Sequence, residues 1–243
     1  SFGYGSAMKE NLAGIEDYTR IGSLLQPEQI VKYGELTLRE NQIAYAEPSF
    51  FRLFDFELLK GDKKTCLSMP GQVVITERIA SKYFKDEDPI GKIFIFTGAY
   101  DKISCEVTGV MKEMPSNSHI HYSFLISYKS LPKYMQEYWY KHEAYTYVLL
   151  DSPERKAEIE REFPVMAEKY KTDEALKNKT WGVSLIPLAD IHLTPQVGYE
   201  AETKGNRSSM IALIFAAIAI LAIAWINYIN LTVARSMERA KEV

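Results

Sequence analysis

The sequence predicts an α+β domain followed by one membrane-spanning helix, and three observations carry that prediction. Residues Ser208 to Ala234 contain no charged side chain. Upstream of them, short apolar or alternating runs of strand length are interleaved with stretches of helical period. The whole chain is 47% hydrophobic and 25% charged, a balance that supports a packed core and excludes a disordered linker.

At ~1.5 Å rise per residue the uncharged run makes a helix of about 40 Å, whereas about 20 apolar residues already cross a bilayer. A buried core helix is the competing reading, but such helices are usually shorter and keep a polar face. Trp225 and Tyr228 lie near the C-terminal end, and Arg235, Arg239 and Lys241 follow. Aromatic rings favour the headgroup layer and basic residues the cytoplasmic side, so this end is expected in the cytoplasm, although Lys204 and Arg207 flank the other. Asn227 and Asn230 are costly against lipid and are expected to meet a neighbouring helix or the interface. Ala212, Ala216 and Ala219 form a small-residue stripe that permits close approach. Both features anticipate partner helices beyond this sequence.

Along the rest of the chain, Ser6 to Leu12 is expected as a short helix, followed by extended segments at Tyr18 to Gly22, Ile30 to Leu38 and Gln42 to Ala46. Ser49 offers an N-cap to FFRLFDF, whose Phe50, Phe51, Leu53 and Phe54 read as core. Gly61-Asp62 marks a turn. Val73 to Thr76 is a buried-strand signal leading into the amphipathic helix ERIASKYF, and with the next strand it reads as a β-α-β unit. After Asp88-Pro89-Ile90-Gly91 come the strand signals KIFIFT, ISCEVTGV and HYSFLIS, then Tyr145 to Leu150. Asp151 as N-cap and Pro153 at the first helical position predict a helix running to about Lys171. Trp181 to Pro187 is expected to return as a strand. A polar stretch then leads to the membrane helix. There is no internal repeat.

The chain carries no recognisable catalytic constellation. It has no G-x-S-x-G elbow, and Gly61 to Thr65 lacks the second glycine of a phosphate-binding loop. His119-Ile120-His121 is the best metal candidate, because alternate strand residues point to one side; Glu113, His142 or His192 would have to supply a third ligand. Ordinary surface or hydrogen-bonded histidines are the preferred reading. Asp86, Glu87 and Asp88 read as a solvated turn, in which Asp88, Pro89 and Gly91 are structural. Cys66 and Cys105 are too few for a disulfide framework, and a disulfide or two buried thiols both remain open. The glycosylation sequons at Asn178 and Asn206 carry no weight without a secretory route. A formal net charge of −3 leaves no basic footprint for nucleic acid. The start at Ser1-Phe2, with no charged or apolar leader, reads as a segment of something longer. No cofactor is expected.

Five segments, in order, resemble one family. AEPSFFRLFDFELLKGD (Ala46 to Asp62), VVITERIASKYFKDEDPIGKIF (Val73 to Phe94), VTGVMKEMPSNSHIHYSFLIS (Val107 to Ser127) and PLADIHL (Pro187 to Leu193) are similar to the periplasmic core domain of MacB/FtsX-like ABC transporter permeases. WINYINLTVARSMERAKEV (Trp225 to Val243) resembles the end of the transmembrane helix that follows it. Lys129 to Thr180 shows pattern without motif.

The resemblance implies a permease with four transmembrane helices and a two-lobed extracytoplasmic domain between the first two. A β-α-β porter-like lobe would occupy 1–124 plus 186–207, an inserted α+β lobe 125–185, the helix 208–234 and a cytoplasmic tail 235–243. Residues 1–207 would then lie outside the bacterial inner membrane. It further implies a separate cytoplasmic ABC ATPase, a second permease copy, and a periplasmic adaptor or hydrolase as partners. The domain itself would be non-catalytic, and ATPase movement would pass through the helices to it. Gly205-Asn206, before the helix, reads as a hinge or a simple turn. Two rival functions stand beside this one: the outer domain of a membrane signalling sensor, and a membrane-anchored metal enzyme using His119 and His121.

Overall fold

The computed structural model describes residues 1–22, 28–98, 102–139, 143–171, 177–191 and 207–241, the last segment with side chains from 211 to 236. The chain divides into two compact units, Ser1–Leu185 and Ile186–Val243, each taken by itself below.

In the first unit a short helix, α1 (Tyr4–Asn11), precedes strands β1 (Ile15–Gly22), β2 (Gln29–Tyr33), β3 (Leu36–Glu40) and β4 (Ile43–Ala46). The extended run foreseen from Ile30 to Leu38 is therefore a hairpin, in which Tyr33 pairs with Leu36. Helix α2 (Phe50–Leu53) and strand β5 (Leu58–Lys60) follow, then β6 (Gln72–Thr76), α3 (Glu77–Phe84), β7 (Ile93–Thr97) and β8 (Lys102–Met111). The unit continues through β9 (Phe124–Ser127), α4 (Lys133–Gln136), β10 (Ala144–Leu150) and α5 (Arg155–Glu168).

The strands form one mixed sheet in the order β10-β1-β4-β9-β6-β8-β7-β2-β3, with β5 paired to β8 beside that path. The β-α-β unit is present with one amendment. The strand after α3 is not the parallel partner of β6; β8 is, and β7 sits antiparallel on the far side of β8.

Three apolar clusters hold the unit together. On one face of the sheet, Val73 and Ile75 of β6, Phe94 and Phe96 of β7, Val107 of β8 and Phe124 of β9 pack under Ile79, Tyr83 and Phe84 of α3. Edge-to-face contacts run through this layer, Phe94 meeting Tyr83 at 4.9 Å and Phe124 at 5.8 Å. The intervening residues Val74, Leu125, Ala44 and Ala46 turn to the opposite face and pack with Phe50, Phe51, Phe54, Cys66 and Leu67. A third cluster joins Ala7 and Met8 of α1, and Leu12 just after it, to Ile159, Phe163 and Met166 of α5 around Trp139.

Local signals succeed where the cap or turn does its own work. Thr76 caps α3, its side chain accepting from the Ile79 amide at 3.4 Å. Ser49 precedes α2 as foreseen, but its backbone is already helical and its hydroxyl caps nothing; the aromatic packing holds this single turn. Helix α5 starts at Arg155 rather than at Pro153, after a turn over Ser152–Glu154 that gives no side-chain cap, and it ends at Glu168. Trp181 to Pro187 joins no strand among the described residues, although Trp181, Val183 and Leu185 alternate onto the third cluster.

The second unit contains α6 (Arg207–Lys241). Its residues Ile211–Ser236 are long and apolar enough to cross a membrane, and none is buried. Leu213, Phe215 and Trp225 stand about 70% exposed, which a soluble core helix would not tolerate.

The glycines at two turns give contrasting expectations. Gly61 (φ +98°) faces the Thr108 carbonyl so closely that a Cβ would collide with backbone, while Gly91 (φ +80°) faces open space. Gly61→Ala is therefore expected to cost at least ~3 kcal/mol and Gly91→Ala only ~1–2 kcal/mol, the strain of a left-handed alanine alone. Urea unfolding followed by tryptophan fluorescence separates them.

Candidate functional site

His119 is tied to the fold rather than presented for chemistry. Its Nε2 lies 3.0 Å from the Tyr147 hydroxyl of β10, and its ring meets those of Phe54 and Tyr147. Burial raises the pKa of Tyr147 well above the ordinary phenol value. Residues 119–122 precede β9 and lie outside any strand, so the alternation expected to aim both imidazoles one way is absent. Glu113 instead approaches Arg78 at 3.6 Å. Among the described residues no three metal-ligating side chains converge. His142 and His192 lie outside the described residues.

The Asp88-Pro89-Ile90-Gly91 turn is fastened at both ends. Asp88 Oδ1 accepts from the Ile90 amide (3.2 Å) and from Lys60 Nζ (3.1 Å), and the Lys60 bond leads in lowering its pKa. The Gly91 amide donates to Val107 O at 2.9 Å, which binds the turn to β8. Glu87 pairs with Lys92 at 2.9 Å.

A buried ion pair is the polar centre that sequence reading missed. Arg20 of β1 donates from Nε and its terminal nitrogen to Glu47 Oε1 (3.1 and 2.5 Å), and its amide donates to Glu47 Oε2 at 3.1 Å. The same guanidinium donates to Phe2 O and, at 3.0 Å, to Gln136 O. It lies over the Tyr128 ring, 4.2 Å from the centroid. Burial opposes the Arg20 charge, but Glu47 more than offsets it and raises its pKa; burial also pushes the Glu47 carboxyl up, and Arg20 pulls it back. One side chain thus joins the approach to α1, strand β1, the end of β4 and the 128–136 segment. The sequence shows only an arginine between Thr19 and Ile21 in a strand whose other half carries Glu16 and Asp17, and nothing nearby names its partner.

The two thiols are free, buried and on opposite faces of the sheet: Cys105 packs beneath α3 and Cys66 beneath α2. They do not pair. Burial pushes Cys66 up to about 11 and Cys105 up to about 12. Along α6, Ala212, Ala216, Ala219, Asn227, Asn230 and Arg235 are all exposed within their own unit. Arg239 and Lys241 are on the helix, with side chains outside the described set, as are Lys204, Gly205 and Asn206 altogether.

Two expectations follow from this geometry. Arg20→Met leaves the Glu47 carboxylate buried without its partner and should cost ~3–5 kcal/mol, while Arg20→Met with Glu47→Leu should recover much of that loss. Chemical denaturation of the single and double variants measures both. For the thiols, a chromogenic disulfide reagent should titrate neither in the native protein and both after unfolding, with no disulfide on a non-reducing gel.

Comparison with known proteins agrees with this architecture. A family model described as the MacB-like periplasmic core domain matches residues 3–164. A crystallised domain of a protein described as a permease, from Porphyromonas gingivalis, superposes with a TM-score of 0.62 at 22% identity, covering 73% of each chain. The periplasmic region of MacB from Actinobacillus actinomycetemcomitans gives 0.50 at 16% identity, covering 72% of this chain and 83% of the other. At such identities the likeness concerns the fold. No curated protein matches the sequence. The family match spans most of the sheet and its flanking helices, and on it the chain belongs to the MacB-like periplasmic core domain family.

Proposed function

We propose that this chain is the extracytoplasmic domain and second transmembrane helix of an ABC transporter permease, and that it works mechanically rather than catalytically. The observation that carries the reading is a MacB-like periplasmic core fold on the same chain as an exposed apolar helix long enough to cross a bilayer. ATP-driven closure of a separate cytoplasmic ATPase moves the helices, and the helices move the domain on the other side of the bacterial inner membrane. Such coupling requires two states that both ends bias.

Within this reading Asn227, Asn230 and the Ala212, Ala216, Ala219 stripe contact neighbouring helices, including those of a second permease copy. Arg235, Arg239 and Lys241 fix the cytoplasmic end. A periplasmic adaptor or hydrolase receives the movement. The division into a porter-like lobe and an inserted lobe at 125–185 is part of the proposal, with the third cluster as the contact between the two, since it joins α5, Trp139 and residues 181–185 to α1.

Affinity capture of the full-length protein from its native membranes tests the reading. An ATPase subunit is expected in stoichiometric amount. Capture of an intact complex that lacks any ATPase, in repeated preparations, would overturn it.

A further inference from the structure

Strand β10 (AYTYVLL) ends the sheet at one edge and pairs only with β1 among the described residues. It has no charged residue and no proline, two of the devices that normally protect an exposed edge. The opposite edge, β3, carries Arg39 and Glu40.

The chain supplies a strand-like segment at the right place. Helix α5 follows β10, and residues 181–185 follow α5, an order that reads as a strand, a crossover helix and a second strand. Crossovers of this kind return the second strand parallel to the first, with the helix packed over both. Here α5 does pack over both: Val148 and Leu150 of β10 share its cluster with Trp181, Val183 and Leu185. The segment has strand-like alternation, with Gly182 and Ser184 exposed between the three inward residues. Its ends are also pinned. Trp181 stacks on Trp139 at 5.1 Å and 9°, and the Leu185 amide donates to Glu160 Oε1 at 2.7 Å. Yet no backbone ladder joins it to β10 among the described residues. Because Glu160 holds the Leu185 amide, alternation leaves the amides of Gly182 and Ser184, pointing to the other edge, for a ladder.

We propose that residues 181–185 add to the outer edge of β10 as a parallel strand, and that making and breaking this ladder is the joint through which the domain receives movement of the segment leading to α6. The joint, though not the strand, rests on the transmission reading above.

Hydrogen exchange on the full-length protein with its ATPase, with and without ATP, tests this, alongside Ser184→Pro and Ser184→Ala. The amides of Gly182 and Ser184, and the β10 amides that point away from β1, are expected to exchange about 100-fold or more slower than an unstructured peptide in one nucleotide state and within about tenfold of it in the other. Ser184→Pro should abolish the protection of Gly182 and of those outward β10 amides while the β10 amides bonded to β1 stay protected, and Ser184→Ala should keep both. Peptide-like exchange at Gly182 and Ser184 in every state, or protection of the outward β10 amides indifferent to Ser184→Pro, overturns the strand. Strong protection unchanged by nucleotide overturns the joint. If no ATPase exists the joint falls with the transmission reading, while the proline and alanine variants of the chain alone still decide the strand.

Discussion

Strands β4, β6 and β9 are apolar on both faces, and a strand of that kind must be covered twice. This constraint organises the first unit. Helix α3 covers one face and α2 with the 62–67 turn covers the other, so the aromatic richness of both layers follows from the area they must seal. Each fully buried aliphatic or aromatic side chain contributes about 1.5–3 kcal/mol, which makes the centre of the sheet the most resistant part of the molecule. Away from it, at β7, β2 and β3, one face carries Ile93, Ile95 and Ile30 among Lys32, Arg39 and Glu106, and burial gives way to mixed charge.

The parts legible in the sequence are those decided within a few residues. VVIT followed by ERIASKYF announces β6, its Thr76 cap and the buried face of α3, because period and cap are local. The uncharged length of α6 is equally local. Pairing was not legible: β1 lies between β10 and β4, and a sequence does not show which strands fifty or a hundred residues apart will meet. The strand alternation expected at His119-Ile120-His121 is absent for a related reason. Alternation was assumed where the chain turns before β9, and an apparent ligand pair became one histidine held by Tyr147. Arg20 and Glu47 escaped because their partnership is purely tertiary, 27 positions apart.

That ion pair also explains how a sheet domain can be gripped. Phe2, the end of β4 and Gln136 converge on one guanidinium, so displacement of any of these segments strains the others. A buried pair of this type adds little net stability over apolar packing but enforces a single arrangement of its surroundings. For a domain proposed to move as a body, uniqueness of arrangement matters more than depth of stability.

The position of β1 has a consequence for biosynthesis. Strand β1 has β10 and β4 as its neighbours, and its long ladder, Ile15 with Leu150 through Gly22 with Ala144, is with the later one. A nascent chain therefore carries β1 half-paired until residue 150 has emerged, with Ile21 and its neighbours lacking their final cover. Non-local pairing of this kind folds slowly and exposes strand edges while it waits. Among the described strands β1 is thus the longest-waiting one, and the stretch of synthesis between β4 and β10 is the interval in which holdase chaperones have most to protect.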